Sequence, residues 1–138
     1  MIYALDSNMI SFLLRPTKNP EVVARFNEIL EQGYNYIVPP ICYYEVYWHL
    51  LRKKAVVQAQ SFMSIYTGSM RKMGMDEAEF IKAAEIRADL EARGLPIGNN
   101  DADIFIAAHC IVNGYTLVTD NTADFERIGG LHIVNWKA

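Results

Sequence analysis

Short all-apolar runs alternate along the chain with longer stretches whose apolar residues recur every three or four positions. Ile2 to Leu5 is such a run, and it leads straight into Asp6, Ser7 and Asn8, which favour turns and caps. A buried strand ending at Asp6 is predicted. Asn19 as cap and Pro20 at the first position open a helix with the stripe Val22, Val23, Phe26, Ile29 and Leu30, stopping at Gly33. Tyr36 to Val38 predicts a second strand, and Pro39 and Pro40 lead into a helix carrying Ile41, Glu45, Trp48 and Leu51. Val56 to Met70 also has helical character. Asp76 and Glu79 have capping-box spacing before Phe80, Ala84, Ile86 and Leu90, which predicts a helix to Arg93, closed by Gly94.

Leu95 to Asn100, rich in Gly, Pro and Asn, predicts a loop that delivers Asp101 or Asp103 to a helix over Ile104 to Val112, ending at Gly114. Tyr115 to Val118 reads as a third strand, Thr122 to Arg127 as a helical turn and Leu131 to Val134 as a fourth strand. Strands alternating with helices, and no tight hairpin signal, predict a parallel α/β sheet with helices on both faces. Functional groups in such sheets gather beyond the carboxyl ends of the strands, which singles out Asp6 and Thr119 to Asn121.

The chain has 138 residues, 51% hydrophobic and 21% charged, which fits one domain over 1–138 with a substantial core. No apolar run approaches the roughly 18 residues of a membrane span, and the start has no signal-peptide pattern, so a cytoplasmic protein without membrane attachment is expected. Cys42 and Cys110 have no metal or redox spacing and are expected as buried free thiols. The net charge of −3 excludes a uniformly basic nucleic-acid-binding surface. It leaves room for a nuclease whose carboxylates lower the charge while basic patches persist, at Arg52, Lys53 and Lys54 and at Arg71 and Lys72; a solvated helix end is the plain alternative for each.

An aspartate directly after a buried strand costs free energy unless it is hydrogen-bonded, paired or metal-bound, or caps the next turn. Ser7 or Asn8 offers that cap instead. Glu45 stands among Tyr43, Tyr44, Val46, Tyr47 and Trp48, and Asp103 opens the apolar run Ile104 to Ala108. Each carboxylate alone says little. Together they suit a hard Mg²⁺ or Mn²⁺ ion, which prefers oxygen ligands and serves phosphodiester hydrolysis by activating water and neutralising developing charge.

Four stretches then resemble a known family: Ile2 to Asn8, the helix around Glu45, the run IGNNDADIFIAAH over Ile97 to His109, and LVTDNTADF over Leu117 to Phe125. They are similar, in order and spacing, to the PIN-domain nucleases, and within those to the VapC-type toxins of bacterial toxin-antitoxin pairs. The resemblance implies a PIN-like three-layer α/β/α fold with a central parallel sheet of about four strands. It implies an Mg²⁺-dependent ribonuclease, Mn²⁺ being possible, with RNA as substrate, a cognate antitoxin and a homodimer. Asp6, Glu45 and Asp103 match the family's catalytic and metal-binding acids, Asp101 is a rival for Asp103, and Asn8 matches a residue supporting the first aspartate. The fourth acidic position falls on Asn121, a departure for which Asp120 or Asp124 can compensate, with Thr119 orienting the group through its hydroxyl. Arg52, Lys53 and Lys54 are candidate RNA contacts.

Two other readings compete: an inactive relative that only binds RNA or protein, favoured by Asn121, and a phosphotransfer domain using Asp6 as acceptor. The latter lacks the paired acids by the first strand and the late lysine. His49, His109 and His132 have no ligand spacing and are expected as satisfied structural residues, and Met63 to Met75 as core or interface filler.

Overall fold

The computed structural model describes residues 1–70, 74–95 and 101–138. Arg71, Lys72 and most of the predicted loop before Asp101 lie outside them. The elements run β1 (Ile2–Leu5), α1 (Ser7–Leu13), α2 (Pro20–Glu31), β2 (Asn35–Ile37), α3 (Pro40–Arg52), α4 (Val56–Gly68), α5 (Glu77–Ala92), α6 (Ala102–Asn113), β3 (Thr116–Val118), α7 (Thr122–Phe125) and β4 (His132–Val134). The strands form one sheet in the order β2-β1-β3-β4, every pair parallel.

Ala4 and Leu5 of β1 and Leu117 and Val118 of β3 are all fully buried. Consecutive strand residues point to opposite faces, so both faces of the central strands are covered, as parallel sheets require. The chain leaves β1 for β2 on one side and later returns to β3 on the other. The direction of winding therefore switches between β1 and β3, where a crevice opens beyond the strand ends. Asp6 and Thr119 follow these two strands directly, and their backbone N–H groups continue the ladder to Val118 and Val134 at 3.1 and 3.0 Å.

The largest departure from the predicted elements is α1. Ser7 and Asn8 are not a turn but its first residues, with Met9 and Ile10 buried against the core. Seven residues are too few for helical periodicity to stand out. The cap is Asp6 itself, whose Oδ1 accepts from the Met9 N–H at 2.9 Å. At α2 the predicted position of the cap holds but not its bond. Asn19 instead donates from Nδ2 to the carbonyls of Phe12 and Arg15 and accepts from Lys137 Nζ, stitching the α1–α2 turn to the C-terminal segment.

Asp76 caps α5 through the Glu79 N–H, but the Glu79 carboxylate is fully buried against α6. Its Oε1 accepts from Asn113 Nδ2 at 2.8 Å, and Oε2 lies 3.2 Å from His109 Nδ1. His109 is thus a core residue, although its Nε2 has no hydrogen-bond partner among the described residues, so it is not fully satisfied. Gly114 ends α6 at φ 72°, a left-handed turn that costs glycine nothing, and aims the chain into β3. Cys42 and Cys110 are buried free thiols. No helix among the described residues is long and apolar enough to cross a membrane.

Candidate active site

At the switch point between β1 and β3 a cleft of about 170 Å³ is lined by Asp6, Ser7, Asn8, Glu45, Asp103 and Asn121, with Ile106 and Phe125 as its apolar wall. Three acids that are 39 and 58 positions apart in sequence (6 to 45, 45 to 103) meet here because β1, α3 and α6 converge at the carboxyl end of the central strands. Asp6 is 6% exposed. Burial pushes its carboxyl from 3.8 up to about 7, and the charges of Asp120 and Asp103 push the same way. Hydrogen bonds from the Thr119 hydroxyl and the Met9 N–H oppose the shift without cancelling it. Asp103, half-buried, is also raised, first by desolvation, then by Glu45 and Asp124.

Glu45 is fixed by α1. The Ser7 hydroxyl donates to Glu45 Oε1 at 2.8 Å, so the helix that Asp6 caps also aims the second acid. Thr119 is fully buried; its Oγ1 accepts from the Asn121 N–H at 3.0 Å while its hydroxyl holds Asp6, and one side chain thus joins the ends of both strands. Asn121 donates to Asp124 Oδ2 at 3.2 Å, and Asn8 donates to Asp120 Oδ1 at 3.3 Å. The expectation that Asn8 supports Asp6 is therefore modified, since the bond it makes goes to Asp120. Asp120 and Asp124 stand close enough to raise Asp6 and Asp103 respectively, so negative charge surrounds the neutral Asn121.

Asp101 is placed elsewhere. Arg87 of α5 grips both its oxygens, at 2.9 and 2.8 Å, and it does not line the cleft. The basic run also divides. Arg52 lies 4.6 Å from the Trp48 ring centroid and donates to His49 Nδ1 at 3.0 Å, beside the cleft. Lys54 instead lines a separate apolar groove with Tyr47, Leu51, Val56 and Met63.

A family model described as PIN domain matches residues 3–131. The chain belongs to the PIN-domain family. Ribonuclease VapC2 of Rickettsia felis is 32% identical over 136 residues, spanning 99% of this chain and 98% of that protein. The tRNA(fMet)-specific endonuclease VapC of Shigella flexneri is 28% identical over 135 residues, covering 98% of each. Among solved structures, VapBC2 from Rickettsia felis bound to a DNA fragment from their promoter superposes with a TM-score of 0.82 at 30% identity, covering 99% of both chains. DNA-bound VapBC from Salmonella typhimurium gives 0.78 at 27% identity, over 99% of this chain and 98% of that one. The four-stranded parallel sheet between helices is thus the PIN fold.

PIN-domain ribonucleases generally use divalent metal ions. The donors around this PIN cleft fit a hard cation: all are oxygens, and the buried Asp6 carboxylate has a strongly unfavourable ionised form that a cation would relieve. The acids line the cleft without closing into a ready-made ligand set, since no three His, Cys, Asp or Glu side chains among the described residues are spaced for one. Glu45 is tied to Ser7, and a small hard cation needs only one or two direct carboxylates, with water filling the rest of its shell. Sequence reasoning missed Ser7 as a positioning group and Arg15 as a charge near His49. Both contacts need the tertiary fold.

Proposed function

We propose that this PIN domain is a metal-dependent endoribonuclease, the toxin of a toxin-antitoxin pair, which hydrolyses RNA phosphodiester bonds at the cleft around Asp6, Glu45 and Asp103. One observation carries the reading: acids from three elements share one small cleft, in which burial and neighbouring negative charge penalise the ionisation of Asp6 and Asp103. Such an arrangement is costly for stability and is the kind found where a site must hold a cation. The ribonuclease and endonuclease names of its relatives support the chemistry, and VapBC complexes among the structural neighbours support a protein antitoxin as partner. Mg²⁺, or Mn²⁺ in its place, is the proposed ion, a homodimer the proposed assembly, the cytoplasm the proposed location and 1–138 a single domain.

Asp6, Asp103 and Glu45 would hold the ion. When bound, the cation would neutralise charge on the phosphate and acidify water. Asp6 is kept in place by Met9 N–H and Thr119, so the anchor does not have to reorganise. Glu45, whose Oε1 accepts from the Ser7 hydroxyl, would use its remaining Oε2 toward the water shell of the ion and take a proton from that water. The water oxygen bonds to phosphorus, the ester bond to the departing ribose oxygen breaks, and that oxygen takes a proton from solvent. The rim acids Asp120 and Asp124 supply negative charge that Asn121 lacks. The negative pocket also suits a guanidinium, so an antitoxin arginine entering it would block the ion.

The test is RNA cleavage by the purified chain with Mg²⁺, with a chelator and after Mg²⁺ is restored, alongside Glu45→Gln. Cleavage that follows the metal and falls about 100-fold or more in the variant supports the reading. Cleavage indifferent to chelation, or none under any metal and RNA tried, refutes it and favours a binding module.

A further inference from the structure

Beside the carboxylate cleft lies a second hollow of about 330 Å³. Ser7, Asn8 and Glu45 line both, so the two hollows adjoin across these side chains, and the second is walled further by Tyr44, Trp48 and His49. Tyr44 and Trp48 are 66% and 51% exposed, unusual for large aromatics on a helix with a well-packed opposite face. Helix geometry fixes the spacing. Trp48 stands three residues, about 4.5 Å along the axis, beyond Glu45, and Arg52 seven residues, about 10.5 Å, beyond it, both within about 60° of the same face.

Positive charge gathers at this end despite the net charge of −3. The imidazole of His49 is held below its ordinary value, first by desolvation and then by the charges of Lys53, Arg52 and Arg15. Arg15 follows α1 and the other two end α3, so two elements bring three cations together. Arg52 already lies over the Trp48 indole, the kind of stack that a nucleobase also makes with either group. Since an arginine only donates, His49 Nδ1 accepts from it.

We propose that Tyr44, Trp48 and Arg52 form a subsite for an unpaired RNA base next to the scissile phosphate, with Arg15 and Lys53 meeting the adjoining backbone. This rests on the nuclease reading and adds that the substrate segment is single-stranded at this position, because a paired base has no free face to lay on Trp48. Among the described residues, the apolar groove on the other side of α3 has Lys54 as its lining cation and shares no residue with the carboxylate cleft, which is why RNA is assigned to this hollow rather than that groove. A protein interface on Trp48 is the rival occupant.

The protein supplies its own probe, since Trp136 is 2% exposed and Trp48 is the tryptophan that solvent and ligands reach. In a chelator, so that no strand is cut, a single-stranded oligoribonucleotide should quench Trp48 emission, whereas a blunt duplex of the same length should not. By fluorescence anisotropy, Trp48→Leu should bind the single strand roughly 5- to 150-fold more weakly, with Trp48→Phe recovering most of the loss and duplex affinity unchanged. Arg52→Gln, which leaves the aromatic in place, should also weaken single-strand binding and lower its salt dependence. Unaltered single-strand affinity in Trp48→Leu, or equal losses for duplex and single strand, overturns the subsite. So does a loss of dimer or of antitoxin binding with RNA affinity intact, which would give the patch to a protein partner. Cleavage by Asp6→Asn, assayed in parallel, separates the two claims: retained cleavage rejects the metal chemistry, whatever Trp48 does.

Discussion

Asp6→Asn should make the metal-free protein more stable at pH 8 while removing its activity. The native carboxyl is raised from 3.8 to about 7, so the folded state holds this proton more tightly than the unfolded chain. Stability from this group is fully present below about pH 4 and is lost as pH rises through 7, since in that window the native state binds more protons than the unfolded one. A shift of about 3 pH units corresponds to at most about 4 kcal/mol, and relaxation of a buried site around a charge reduces that, so about 2 to 4 kcal/mol is expected. Asparagine is isosteric, does not ionise and keeps an oxygen for the Met9 N–H that Asp6 caps. The variant should match the wild type within about 1 kcal/mol near pH 4 and exceed it at pH 8, by roughly 5 to 15 °C in Tm for a chain of this size. Melting followed by circular dichroism in a chelator, from pH 4 to 8, measures the difference. Added Mg²⁺ should raise the wild type and leave the variant unmoved. Parallel Tm curves, or a variant less stable at pH 8, would show that Asp6 carries no ionisation penalty.

The loop acids should separate by function. Asp103→Asn should lower cleavage on the order of 10- to 100-fold, whereas Asp101→Asn should leave the rate nearly unchanged and cost under about 1 kcal/mol, because the Arg87–Asp101 pair is about half exposed on both sides; the reverse ranking in single-turnover assays would reject the placement of Asp103. The basic run should divide as well. Arg52→Gln with Lys53→Gln should reduce the logarithmic salt slope of single-strand binding by roughly 0.7 per lost phosphate contact, while Lys54→Gln, in the apolar groove, should not; an unchanged slope at Arg52 and Lys53 would return the run to a solvated helix end, and an equal drop at Lys54 would reject the division.

The strand-helix alternation carried most of the architecture into view, since buried parallel strands are continuous apolar runs and the longer helices show their stripes. What stayed hidden depends on contacts across the fold. Helix α1 is too short for its period to stand out, and capping and chemistry looked like competing roles for Asp6 although one carboxylate does both, Oδ1 holding Met9 within the cleft. The choice between Asp101 and Asp103 could be argued only from resemblance, because Arg87, the partner that occupies Asp101, sits on another helix. Glu45 was readable as a charge among aromatics, but neither Ser7, which aims it, nor Arg15, which joins Arg52 and Lys53 around His49, lies near it in sequence.

Equilibrium binding of Mn²⁺, read by electron paramagnetic resonance at pH 7.5, tests most directly whether acids of β1, α3 and α6 act as one cation site. The wild type should bind saturably, Asp6→Asn and Asp103→Asn should each lose roughly tenfold or more in affinity, and Asp101→Asn should bind as the wild type does. Undiminished Mn²⁺ binding by Asp6→Asn would contradict the account at its centre.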